Sequence, residues 1–259
     1  MTRSTARPVE SQVLVGVGVG PGDPDLVTVK AVRALQEADL VVVPVMSADE
    51  PGHAERTVRA HMTHDRVRRA VFTLSDRGGR TPARTAAWDA AATVVLDAFD
   101  AGAELVAFAT IGDPNVYSTF TYLAGTVRGR RPGVQVRSIP GITAMQALAA
   151  ASGVPLCEGT ESLTLVPLAR DLGPLDAALA TSGSVVVYKS GARNAEVVEV
   201  LRRHGRLDDA VVGSRLGLAG ERVGPAGEHV GPLGAAPGDL PYLSALLVPA
   251  RRDTVGGKL

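Results

Sequence analysis

Cysteine is almost missing from this chain: Cys157 stands alone among 259 residues. One thiol excludes a disulfide framework and any zinc site built on cysteines. Histidine is scarce as well. His61 and His64 read as the solvated end of a helix, while His53, His204 and His229 sit beside glycine or in polar loops. No catalytic metal is therefore expected. Net charge is absent too, because Lys+Arg and Asp+Glu both total 27. No long-range field draws the chain to nucleic acid or to a membrane surface. Only three of the basic residues are lysines, and so much arginine suits carboxylate-bearing substrates. No apolar run reaches the roughly 20 residues of a membrane span, and residues 1 to 11 lack the apolar core of a secretory signal. A cytoplasmic protein is the expectation. The Gly-x-Ser-x-Gly elbow of hydrolases and the Gly-Lys-Ser/Thr of phosphate-cradling loops are also missing.

What the chain does have is a set of glycine-marked strand ends. In Val106 to Leu123 (VAFATIGDPNVYSTFTYL) an apolar run feeds Gly112-Asp113-Pro114 and then a helical pattern. Gly112 permits a sharp turn or positive φ. Asp113 is a strong helix N-cap, and Pro114 suits the first helical position. A helix running from there to about Val127 is predicted, its positive end at the strand's carboxyl edge, where open α/β sheets hold ligands. Gly20-Pro21-Gly22-Asp23-Pro24 repeats the device near the start, and Pro140-Gly141-Ile142-Thr143-Ala144 opens a further helix.

The rest of the chain alternates. Strands are predicted at Val13–Val19, Leu40–Val43 (stopped by Pro44), Ala70–Leu74, 104–109 and Val134–Ile139. Between them come a helix from Asp23-Pro24 with a stripe of Leu26, Val29, Val32 and Leu35, a polar segment Ser47–Arg69 of mostly helical pattern, and a helix at 83–101 ending at Gly102. Ser75 to Pro82 reads as a loop. Such alternation predicts a parallel sheet with helices on both faces. A second set follows: a helix at Ala144–Ala151, strands at Leu163–Pro167, Ser184–Tyr188, Ala210–Ser214 and Leu243–Val248, and a helix at Asn194–Arg203. Gly217 to Asp239 fits a hairpin plus a loop. The expected organisation is two α/β domains, 12–140 with a parallel sheet and 141–259, packed tightly with a cleft between them.

Gly16-x-Gly18-x-Gly20 after a strand invites a dinucleotide reading, as an oxidoreductase or a non-catalytic binding module. Against it, Asp23 would set a carboxylate where pyrophosphate must sit, and Pro44-Val45 stand where an acidic residue reads the ribose. A different pattern fits better. Val15-Gly16-Val17-Gly18-Val19-Gly20-Pro21-Gly22-Asp23-Pro24-x-Leu26-x-Thr28-x-Lys30-Ala31, with Ala38-Asp39 and Pro44, resembles the opening of the tetrapyrrole methylase family. So do Gly112-Asp113-Pro114-x-x-Tyr117-Ser118-Thr119 and Ile139-Pro140-Gly141-Ile142-Thr143-Ala144. The resemblance runs from about Val13 to Arg251. Within the family, Tyr117-Ser118-Thr119-Phe120-x-Tyr122-Leu123, Val187-x-Lys189 and Pro241-Tyr242-x-Ser244 are most similar to the branch that methylates C-20 of precorrin-2 or its cobalt-bearing counterpart.

The resemblance implies a class III methyltransferase fold, with S-adenosylmethionine folded into the cleft between two α/β domains, and a homodimer. It implies methylation of a meso carbon of a porphyrinoid during corrin-ring assembly; a sister methylase acting at another ring position is the near alternative. Carried over residue by residue, the cofactor contacts are Pro21, Gly112, Asp113, Val116, Tyr117, Thr143, Ala144, Leu168 and Tyr188. Backbone amides or carbonyls at Gly112 are expected to pair with the methionine end. Tyr117 is the candidate catalytic residue and is expected in the first turn of its helix, with Glu158 a further polar group near the cleft. Ser118 and Lys189 are candidates for the substrate side, Lys189 toward a ring carboxylate. The Arg-rich stretch 66–84 carries no transferable residue and reads as a solvated loop.

Overall fold

The structure is a computed structural model that describes residues 11–72, 79–168, 171–181, 183–189, 193–228, 240–241, 243–252 and 254. The chain divides into two compact units, Met1–Thr143 and Ala144–Leu259.

In the first unit, five parallel strands, β1 (Val13–Gly18), β2 (Leu40–Val45), β3 (Val67–Val71), β4 (Leu105–Thr110) and β5 (Gln135–Ile139), lie in the order β3-β2-β4-β1-β5. Side chains alternate between the faces, as a pleated strand requires. Val15, Val17, Val41, Val43, Ala107 and Ala109 meet helices α1 (Val29–Glu37) and α2 (His53–His61). Leu14, Val42, Val106 and Phe108 meet α3 (Pro82–Asp100) and α4 (Phe120–Arg130). Each such fully buried side chain contributes about 1.5–3 kcal/mol of transfer free energy. The second face is the aromatic one. Phe108 packs on Phe72 and Phe120 at centroid distances of 5.8 and 6.0 Å, and Trp88 of α3 stacks on Tyr122 of α4 at 4.6 Å.

Several boundaries differ from expectation, each for a local reason. β2 runs through Pro44 to Val45 instead of stopping. Its pairing with β4 ends at Val42 while its pairing with β3 continues, so the missing N–H of Pro44 faces the side that has no ladder to lose. β3 begins at Val67, earlier than Ala70, because it is an edge strand whose arginines mask its alternation. Asp23 caps only a 3₁₀ turn, Pro24–Leu26; the chain then extends through Val27, and Thr28 caps α1 by accepting from Ala31 N. The buried stripe of α1 is accordingly Ala31 and Leu35, with Val29 66% exposed. Glu55 of α2 is fully buried between Arg59 and Arg69, at 2.9 and 2.7 Å. Burial pushes its carboxyl upward, but hydrogen bonds and charge from Arg69 and Arg59 outweigh that and hold it below the usual value.

The second unit holds α5 (Ala144–Ser152), β6 (Leu163–Pro167), α6 (Gly173–Leu179), β7 (Ser184–Tyr188), α7 (Asn194–Arg203), β8 (Val211–Ser214), β9 (Arg222–Pro225) and β10 (Ser244–Val248). Its sheet runs β6-β7-β10-β8-β9, with β6 and β7 parallel and the other neighbours antiparallel. Here α5 covers one face and α6 with α7 the other. The short α6 was not expected. Of the hairpin expected over Gly217–Asp239 the described residues hold one strand, β9, which pairs back with the preceding strand β8; the loop at 229–239, with His229, and also Tyr242 and residues 73–78 of the expected strand end and loop, lie outside the described residues.

Candidate functional site

Neighbouring strands β1 and β4 send their chains to opposite faces of the first sheet: β1 continues into α1 on one side, β4 into α4 on the other. A crevice therefore opens at their carboxyl ends, the usual ligand position of an open parallel sheet. Three glycine-bearing turns meet there. Gly112 N donates to Gly20 O at 2.8 Å, and Val19 N donates to Thr110 O at 2.9 Å. A Cβ on Gly18 would lie 2.5 Å from Gly112 O, and one on Gly141 would lie 2.1 Å from that same oxygen. The ends of β1, β4 and β5 thus touch backbone to backbone. Only glycine fits.

This geometry reassigns the Gly-x-Gly signal. Gly16 lies beneath the Phe120 ring, 2.5 Å from where its Cβ would be, and Gly18 is needed for the contact of turns. Both glycines serve packing, and neither requires a pyrophosphate to explain it.

Neither Gly-Asp-Pro opens an α-helix, contrary to expectation. Asp113 Oδ1 accepts from Asn115 N at 2.7 Å and its carbonyl accepts from Val116 N at 3.2 Å, closing a β-turn around Pro114. Asp23 does the same with Asp25 N and Leu26 N, at 2.9 and 3.1 Å. Asp at the first and Pro at the second position of a turn satisfy the same local preferences as a helix start, and the side-chain bond to the residue two ahead decides for the turn. α4 begins only at Phe120, whose N–H is taken by Ser118 Oγ at 3.1 Å. Tyr117 therefore lies in the connecting turn, not in a helix. Its φ is 51° and its side chain is 45% exposed. A non-glycine residue in the left-handed region is strained, and such strain collects at functional sites.

Gly112 itself is at φ 68°, its N–H donated to Gly20 O and its carbonyl packed against Gly18 and Gly141, so the space left beside it is at its Cα. A Cβ there would meet nothing closer than Thr143 Cα at 3.8 Å. This is a cradle that a side chain would fill. Thr143 stands against this space, Asp113 follows Gly112 in the same turn, and Pro21 follows Gly20, whose carbonyl holds the Gly112 N–H; Val116, Tyr117 and Ser118 come further along the same connection. Ser118 also donates to Thr110 Oγ1 at 3.1 Å, so its hydroxyl is already committed.

The second unit forms its own group. Leu168 N donates to Tyr188 O at 2.9 Å across the carboxyl ends of β6 and β7, and Tyr188 Oη accepts from Met145 N at 3.1 Å, next to Ala144. The Leu168 side chain belongs to the core under α6 and α7, and the residue as a whole is buried. Lys189 is exposed at φ 62°, the same unusual conformation as Tyr117. Glu158 faces Arg252 at 3.3 Å, beside the Arg252–Glu161 pair at 2.6 Å, which makes it part of a structural ion cluster. His61, at the end of α2, bonds the Pro24 carbonyl of the 3₁₀ turn, and His64, just past α2, bonds the Gln36 carbonyl of α1, where a solvated helix end was expected. Among the described residues no group of three or more His, Cys, Asp or Glu could hold a metal ion, and no helix is long and apolar enough to cross a membrane. Sequence reasoning missed Asn115 and Thr110, which hold the turn; the Asp-Pro-Asn run was the available signal.

The family model of the tetrapyrrole (corrin/porphyrin) methylases matches residues 13–228. A precorrin-2 C(20)-methyltransferase of Sinorhizobium sp is 32% identical over 246 residues, 93% of this chain and 96% of that protein. A probable cobalt-precorrin-2 C(20)-methyltransferase of Methanocaldococcus jannaschii is 31% identical over 198 residues, 76% of this chain and 79% of that one. Among solved structures, a cobalt precorrin-4 methyltransferase superposes with a TM-score of 0.69 at 20% identity, covering 95% of this chain and 98% of its own. A uroporphyrin-III C-methyltransferase from Thermus thermophilus, complexed with S-adenyl homocysteine, gives 0.62 at 22% identity, covering 92% and 97%.

Proposed function

The chain belongs to the tetrapyrrole (corrin/porphyrin) methylases, and from that premise we propose that it methylates the C-20 meso carbon of precorrin-2, or of its cobalt-bearing counterpart, during corrin-ring assembly in cobalamin biosynthesis. The methyl donor in this reading is S-adenosylmethionine, leaving as S-adenosylhomocysteine. The observation that carries the reading is the bare face of Gly112 at the β1/β4 crevice, walled by Thr143, where a ligand can approach the backbone closely. The choice of C-20 is supported by the relatives that share about a third of their residues with this chain over most of its length.

When bound, the donor supplies an electrophilic methyl group on a positively charged sulfur. The chain's own part is to bind, orient and move one proton. Gly112, Thr143, Val116 and Pro21 are assigned to the donor from the first unit; for Ala144, Leu168 and Tyr188 the assignment rests on the resemblance alone. Holding donor and ring in line is worth about 7–11 kcal/mol of the barrier. The methylated carbon must then lose a proton, and the hydroxyl of Tyr117, a residue 45% exposed at φ 51° in the turn after β4, is the group we assign to that step. Lys189 is assigned to the substrate, to a ring carboxylate; Ser118, whose hydroxyl donates to Thr110 Oγ1 and accepts from Phe120 N, is kept for the turn. The same reading carries a cytoplasmic location and a homodimer, the latter testable by sedimentation.

Titration with S-adenosylhomocysteine and, separately, NADH tests the donor; tight NADH binding without S-adenosylhomocysteine binding overturns the reading. Turnover with a ¹³C-methyl donor then tests the position. Label at C-20 is expected, and label at another ring carbon would make the chain a sister methylase.

A further inference from the structure

Asp113 and Asp23 build the same local turn, yet they differ in one bond. The second carboxylate oxygen of Asp113 accepts from Gly141 N at 3.0 Å, across to the turn that follows β5. Asp23 has no such cross-turn bond among the described residues; its carboxylate accepts only from Asp25 N. Asp113 is 9% exposed, and its two oxygens are each taken by a backbone amide. Gly141 in turn is pressed on Gly112 O and Gly18, and two residues on stands Thr143, the wall of the Gly112 cradle.

We propose that the Asp113 side chain is a positioning group, where the resemblance made Asp113 a donor contact: its carboxylate neither meets the methyl donor nor removes the proton, but ties the β4 turn to the β5 turn and so sets the gap between Gly112 and Thr143. The proposal rests on the reading of that gap as the donor site. A carboxylate accepts at both oxygens, whereas asparagine accepts at one and donates at the other. Asp113→Asn can keep the turn through Asn115 N but then aims an NH₂ group at the Gly141 N–H. The substitution therefore separates the local turn from the tie.

Amide exchange on the ligand-free protein should show Gly141 losing protection in Asp113→Asn while Asn115 keeps it. Affinity for S-adenosylhomocysteine should fall about 10-fold, the scale of one charge-assisted hydrogen bond. The KM for the donor should rise with kcat and the tetrapyrrole KM little changed, and Asp113→Ala should do no better than Asn. The decisive comparison uses the analogue lacking the α-amino group. A tie costs both ligands equally, whereas a direct carboxylate–ammonium contact costs only the ligand that has the ammonium. A penalty confined to S-adenosylhomocysteine, or unchanged affinity for both, overturns the proposal. A wild type that binds neither ligand would be a failure of the donor reading, recognisable before any substitution, and would remove the positioning role with it. Should Asp113→Ala fail to fold, Asp113→Asn alone carries the comparison.

Discussion

Gly112→Ala is a stringent test of the donor cradle because the structure supplies its own control. Gly112 has φ 68° and Gly102, at the end of α3, has φ 100°; a Cβ on Gly112 meets only Thr143 Cα at 3.8 Å, and one on Gly102 meets nothing within 4 Å. Each substitution therefore costs the free protein the left-handed conformation and little else, about 1–2 kcal/mol. At about 2–4 °C per kcal/mol for a chain of this size, both variants should melt roughly 2–8 °C below the wild type. Their ligand binding should part company. A methyl group on Gly112 enters the space assigned to the donor, and overpacking of that kind costs about 1–3 kcal/mol, or about 5- to 150-fold in Kd. Gly102 lies at the opposite, amino-terminal end of the sheet, just before β4. Calorimetry with S-adenosylhomocysteine should show the loss for Gly112→Ala and wild-type affinity for Gly102→Ala. Equal affinity in all three proteins would make the Gly112 turn purely structural and refute the cradle.

Tyr117→Phe should keep the melting temperature and S-adenosylhomocysteine affinity while kcat falls about 10²–10⁴-fold; an unchanged kcat takes the hydroxyl out of the proton transfer. Glu55→Gln should destabilise the first unit near neutral pH by about 2–3 kcal/mol, less than for a wholly buried pair because Arg59 is half open. Because the folded carboxyl sits below its ordinary 4.5, the wild type's advantage is full above that value and lost as pH falls through the folded one. Urea unfolding at a series of pH values reads this, and a gap that persists in strong acid would contradict it. Activity on the metal-free ring should survive exhaustive chelation, and restoration of a chelated enzyme by added zinc would contradict the metal-free assignment.

Most strands of both sheets were legible because burial on two faces writes continuous apolar runs: Val13–Gly18, Leu105–Thr110 and Ser184–Tyr188 are such runs. The edge strand Val67–Val71 was blurred by Arg68 and Arg69, since an exposed edge carries charge instead of periodicity. At the candidate site the glycines could be read as important, but not what each one does. Whether Gly18 meets a ligand or another turn depends on Gly112 and Gly141, far away in sequence, and Cβ clearances do not exist before the fold does. The turn at Asp113 was misread as a helix start because the two share their first residues. The left-handed φ of Tyr117 and Lys189 has no signature in residue type at all.

Aromatic residues divide unevenly between the units. Trp88, the chain's one tryptophan, and all four phenylalanines, Phe72, Phe99, Phe108 and Phe120, fall in the first unit. The core of the second is drawn from Val, Leu and Ala. Indole emission is therefore a private channel to the seam between α3 and α4, where Trp88 lies on Tyr122, and it is silent about every event in the second sheet. If the two units melt separately, a fluorescence trace will report one transition where backbone circular dichroism reports two. The difference between the traces isolates the stability of the second unit without a label or a truncation.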